Sequence, residues 1–203
     1  MPTLSEIKSA NLFIAGSLGV FWREYDADAD DLPDDVATTV DGARAELELL
    51  GFSLLGATTN EGSNFRESKQ RTKHYVHQQR NPVLVTEDKV EAVFQTTLHE
   101  MLNQDAISAA YGGGTWTTTA NGNALFVPPE PCTLSYGTFV IDALFKNSIT
   151  RYVLERCTTG GDTDVALRPT ELSGVPMTVD ALSPTNAPAA WYMVAPQPEG
   201  GGS

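Results

Sequence analysis

The chain has 203 residues, 41% of them hydrophobic, with 26 acidic against 13 basic residues and a formal net charge of −13. That length suits one domain with an elaborated periphery, and the apolar fraction suffices for a real core. An isoelectric point near 4.5 argues against a groove that grips a phosphate backbone, but fits a surface that nucleic acid must pass without sticking.

In chain order, residues 1–9 lack a basic region leading into an apolar core, so no signal peptide is expected. The apolar stretch 12–22 is too short and too glycine-punctuated to cross a bilayer, and the protein is expected to be soluble. Residues 12–16 and 20–22 read as strand material broken by a Gly16-Ser17-Leu18-Gly19 turn. Residues 24–35 form an acidic loop containing Asp26, Asp28, Asp30 and Asp31. Its aspartates begin an EF-hand-like pattern, which fails where Asp31 replaces the turn glycine and Ala37 the bidentate glutamate.

Residues 52–59 are strand-like and end in an Asn60-Glu61-Gly62 turn. The polar stretch 63–82 then carries Arg66, Lys69, Arg71, Lys73 and Arg80 against the single acid Glu67, and reads as a long basic loop. On an acidic protein it calls for an acidic partner, and another copy of the subunit would supply one through its 24–35 loop. Such complementary charge would set the register and speed of association with that copy.

Residues 83–97 return to strand chemistry. Val90, Ala92 and Phe94 mark the dry face; Glu91 and Gln95 lie on the wet one. Thr97-Leu98-His99-Glu100 has the form of a capping box opening one helix, residues 98–110, with Leu98, Leu102, Ala106 and Ala109 as its apolar stripe. Gly112 to Gly114 stop it. Strands are expected at 116–119, 124–127, 134–145, 149–157, 174–182 and 191–194. In the third of these, Phe139, Ile141, Ala143 and Phe145 form the buried face and Asp142 the opposite one. The tail 196–203 is Pro/Gly-rich and expected to be flexible. The fold class is therefore mainly β, a single sandwich or barrel domain over residues 1–195 with one flanking helix.

Catalytic patterns are missing. His74-x-x-His77 has basic neighbours and no third ligand, and His99 stands apart, so no metal is expected. There is no GxSxG elbow and no phosphate-binding loop, and the Gly112–Gly114 run follows its helix instead of preceding it. The reading is of a protein that is not an enzyme and takes no cofactor. Cys132 and Cys157, without any CxxC, read as free thiols of a protein assembled in a reducing cytoplasm, with a disulfide between them as the alternative.

The order of segments carries a resemblance. Leu32-Pro33-Asp34-Asp35-Val36-Ala37-Thr38-Thr39-Val40-Asp41 resembles the LPTDATTALD segment of actinophage-type major tail proteins. Leu55-Gly56-Ala57-Thr58-Thr59-Asn60-Glu61-Gly62 is similar to their LGYTTEDG turn. Phe94-Gln95-Thr96-Thr97-Leu98-His99-Glu100, Arg151-Tyr152-Val153-Leu154 and Gly174-Val175-Pro176-Met177-Thr178 follow collinearly, so the likeness spans roughly residues 10–195. The basic 63–82 segment departs from the family, which usually has an acidic, Trp-containing loop there.

The resemblance implies a tail tube protein of long-tailed, non-contractile phages, located in the virion tail. Its subunits would form hexameric rings that stack head to tail, and strands of neighbouring subunits would close a barrel around a channel for DNA ejection. The implied partners are other copies of the chain, a tape measure protein, and terminator and tip proteins. DNA would be present only in passage, and no membrane would be bound. Glu91, Gln95 and Asp142 are the expected channel-facing residues. The alternatives are a tail terminator, the tube of a contractile injection device, or a β-sandwich binding domain.

Overall fold

A computed structural model of the chain describes residues 17–27, 32–59, 63–77, 79–131, 133–145, 148–160, 165, 173–183 and 190–195. These residues are mainly β. In chain order they form β1 (Ser17–Glu24), α1 (Val40–Leu49), β2 (Ser53–Leu54), β3 (Asn64–His74), β4 (Leu84–Leu98), α2 (Gln104–Ala110), β5 (Thr115–Thr118), β6 (Ala124–Val127), β7 (Gly137–Phe145), β8 (Ser148–Gly160), β9 (Val175–Leu182) and β10 (Trp191–Val194). The main sheet is antiparallel in the order β2-β1-β7-β8-β9-β4-β3, with β10 also pairing β8, while β5 and β6 form a separate hairpin.

Hydrogen bonds close this sheet on itself. The Leu55 amide donates to the Val20 carbonyl of β1. A few residues on, Thr58 bridges Leu98 of β4, and the Thr59 and His99 amides donate to the carbonyls of Thr97 and Ala57. The chain after β2 thus links the two sides of the sheet and makes a barrel, filled by Val20, Leu55, Phe94, Phe139, Leu154 and Val179. Ala106 and Ala109 of α2 pack onto the same cluster. A barrel of this size has just enough room for its own side chains.

A second layer covers the outside of β1, β7 and β8. There α1 and the preceding segment bury Leu47, Phe52, Val140 and Val153 in one cluster and Val36, Ala43 and Ile149 in another. Beneath α1 lies Arg151, 0% exposed. Its guanidinium forks onto both carboxylate oxygens of Asp142 at 2.8 and 2.9 Å and also donates to Glu46 and to the carbonyls of Asp35 and Ala43. Burial works against its charge, but the hydrogen bonds and attraction of Asp142 and Glu46 outweigh that and raise its pKa.

Four expectations need correction. The helix of residues 98–110 begins only at Gln104: Thr97 and Leu98 stay in β4, paired with Pro176 and Val175 of β9. Glu100 closes no capping box; its carboxylate accepts from the Ala57 amide at 3.0 Å. Asn103 caps α2 instead, its side chain accepting from the amides of Asp105 and Ala106. The strand wins at 97–98 because β9 on one edge and residues 57–59 on the other satisfy its backbone.

There is also a second helix, α1. Thr39 caps it, and the four-residue spacing of Ala43 and Leu47 buries one face. Third, residues 17–19 are no turn: they run straight through β1, paired with Leu144 to Asp142 of β7. Fourth, the basic 63–82 segment is mostly strand rather than loop, since β3 occupies Asn64–His74. Of the cysteines, Cys157 is a buried free thiol and Cys132 lies outside the described residues.

Candidate functional site: a projecting two-stranded arm

β3 contains one large apolar residue in eleven, Phe65, so its own burial cannot hold it as a strand. It exists because β4 templates it in antiparallel register from Asn64↔Gln95 to His74↔Leu84. β4 is fifteen residues long, but β9 pairs with it only from Ala92 to Leu98. Among the described residues, 84–91 of β4 and 68–74 of β3 therefore pair only with each other and leave the body as a two-stranded ribbon. A register shift at Gln70/Arg71 leaves Asp88 as the extra residue of a β-bulge, which adds local twist.

Alternation sorts the ribbon into two faces. Phe65, Glu67, Lys69, Arg71 and Lys73 share one with Val90, Glu87 and Val85; Arg66 lies on the other with Glu91 and Gln95. Most of this charge is matched within the arm. Lys69 reaches Glu67 at 2.9 Å, Arg71 reaches Glu87 at 3.2 Å and Lys89 reaches Glu91 at 2.6 Å. The hydrogen bond to Glu67 raises the pKa of Lys69, and the bond to Lys89 lowers that of Glu91. Lys73 and Arg80, near the tip, have no carboxylate partner among the described residues.

The tip is apolar as well as basic. Tyr75 is 61% and Leu84 56% exposed, with Val76, Val83 and Val85 also open. Two strands without a hydrophobic backing are marginally stable in water, and an unpaired edge of eleven residues is a template for another strand.

Four of the five expected basic contact residues, Lys69, Arg71, Lys73 and Arg80, thus lie on the arm, whereas Arg66 pairs with Val93 in the β9-backed part of the sheet, on the face opposite Lys69, Arg71 and Lys73. Glu91 and Gln95 are both exposed on the second face, Glu91 where the arm leaves the body and Gln95 in the β9-paired part of β4. Asp142 is corrected: it points away from the barrel interior as alternation requires, yet it is 4% exposed because α1 covers that face and Arg151 claims the carboxylate. It cannot line a channel. Asp26 is exposed, whereas Asp28, Asp30 and Asp31 lie outside the described residues. His74 shares its Nε2 with the Thr86 hydroxyl at 3.0 Å. Among the described residues no three His, Cys, Asp or Glu side chains come together as a metal site, and no helix is long and apolar enough to cross a membrane.

The arm was hidden because β3 shows no apolar alternation. The available signal was its neighbour: β4 continues in strand chemistry back to Leu84, well before the body begins, and a strand that long needs a partner. No known protein-family profile and no curated protein matches the chain.

Proposed function

We propose that the chain is a structural virion protein that polymerises, as stacked hexameric rings, into the tail tube of a long-tailed phage and forms the conduit for DNA ejection. The observation that carries this reading is the arm: a long ribbon with an apolar tip, whose two outer edges pair with no other described strand. Pairing the β3 edge of one copy with the 84–91 edge of the next would be a head-to-tail contact, and such contacts generate rings or filaments. The acidity of the remaining body supports the same reading. Positions 63–91 hold six basic and four acidic residues, leaving seven basic against twenty-two acidic elsewhere. A conduit with that balance repels the DNA it conducts, and Glu91, where the arm leaves the body, and Gln95, in the β9-paired part of β4, would face it. Tape measure, terminator and tip proteins would be its partners in the virion tail, and catalysis has no part in this role.

The test replaces residues 69–90 by an Asn-Gly turn and compares both proteins by negative-stain microscopy and sedimentation velocity. The full chain should form rings or tubes; the shortened one should keep its β-type circular dichroism and remain a monomer. A shortened protein that builds the same tubes would refute the proposal.

A further inference from the structure

β4 has a direction, and the molecule differs at its two ends. Over its fifteen residues the strand spans about 45 Å. The tip of the arm lies before its first residue, and the α2 end of the barrel follows its last. At that second end two open clefts, of about 570 and 620 Å³, meet at Glu100 and Asn103. Glu48 and Asp105 line the first, Met101 and Leu102 the second. Leu102 is 99% exposed, on a turn where nothing of its own chain covers it.

Charge marks the two ends as complementary. Glu48 is matched by Arg44 at 2.7 Å, but Glu100 and Asp105 have no cationic partner among the described residues. At the other end Lys73 and Arg80 are the unmatched cations, set beside exposed Tyr75, Val76 and Leu84. Among the described residues each end thus presents two charges of one sign without an ionic partner, next to open apolar surface, and the signs are opposite; the Glu100 carboxylate also accepts from the Ala57 amide.

The geometry points to axial docking: the arm tip of one copy seats in the cleft around Glu100, Leu102 and Asp105 of the copy ahead of it. This rests on the tail-tube reading and deepens it. It assigns the unpaired edges to contacts within a ring and the tip to contacts between rings. It also moves the acceptor from the acidic 24–35 segment to the α2 end. Because donor and acceptor occupy opposite ends of one strand, each docked copy offers a fresh acceptor, and elongation follows without any change of fold.

The experiment uses two full-length variants, Lys73→Glu/Arg80→Glu, which reverses both tip charges, and Leu102→Lys/Asp105→Lys, which reverses one acceptor charge and adds a second of the same sign. All four positions are exposed, so circular dichroism should be unchanged. Sedimentation velocity should show each variant alone losing about tenfold or more in elongation constant, since like charges then face one another across the contact. An equimolar mixture should recover elongation, because each reversed end then meets its complement. If the Leu102/Asp105 variant elongates like wild type while the Lys73/Arg80 variant does not, the acceptor is wrong and the tube reading survives. If the wild-type chain never associates, both are overturned. A basic apolar hairpin could also enter a membrane. Co-sedimentation with phosphatidylglycerol vesicles, lost in Lys73→Glu/Arg80→Glu while elongation persists, would replace docking by lipid binding.

Discussion

Arg151→Met should be among the most damaging single changes in this protein, although it touches neither the arm nor the clefts. The substitution removes all five hydrogen bonds of the guanidinium and leaves Asp142 as a carboxylate at 4% exposure. Breaking a buried pair by deleting one partner costs about 3–5 kcal/mol, against a total stability of about 5–15 kcal/mol for a domain. The companion is Arg151→Met/Asp142→Leu, which removes both charges. What then remains is mainly the Asp35 carbonyl without its donor, a cost of about 1–3 kcal/mol. The double variant should therefore unfold at a higher urea concentration than Arg151→Met alone, though below wild type. Urea melts followed by tryptophan fluorescence would measure this, with hydrogen exchange on Val40–Leu49 reporting whether α1 loosens first. A wild-type midpoint for Arg151→Met, with unchanged α1 exchange, would refute the view that this cluster fastens the outer layer.

Two further outcomes follow from local geometry. Cys157 is fully buried and its thiol pKa is pushed well up, chiefly by desolvation, so iodoacetamide at pH 8 should leave it unmodified in the folded protein and alkylate it in urea; modification at the unfolded rate under native conditions would contradict the barrel interior. Gly114→Ala should lose about 1–3 kcal/mol, because φ there is +121° and an added Cβ would come within 2.5 Å of the Phe126 ring; a thermal melt together with the emission of Trp116, whose indole donates to Ser108, would report it.

The strands were legible where one face is buried or two turns bracket them: residues 124–127 and 191–194 match β6 and β10 in full. Helix α1 was obscured by β-branched Val40 and by Gly42, which sits where a capping box would place Glu. Its real signal was weaker, the spacing of Ala43, Leu47 and Leu50. Asp142 failed for a different reason. Period-two alternation identified its face correctly, but alternation alone does not say what covers that face. The run Phe139-Val140-Ile141 did carry the answer, since consecutive apolar residues in a strand indicate burial on both sides. The 97–100 motif failed by competition, because tertiary strand partners offered the same backbone groups more than a helix start could.

The charges on the arm do more than keep it soluble. β3 carries Arg66, Lys69, Arg71 and Lys73 with one acid, Glu67, whereas residues 84–91 of β4 carry Glu87, Asp88 and Glu91 with one base, Lys89. Two copies that met β3 to β3 would set rows of like charge side by side, which is unfavourable across a strand pair. A symmetric dimer, which would consume the edge and stop growth, is thereby disfavoured. Pairing β3 of one copy with the 84–91 edge of the next sets cations beside anions instead. Each such pair is exposed and worth only about 0–1 kcal/mol, so charge selects the arrangement while backbone hydrogen bonds and the buried apolar tip would supply the strength. In the proposed tube, the same residues that hide β3 from a search for apolar alternation would favour growth in one direction.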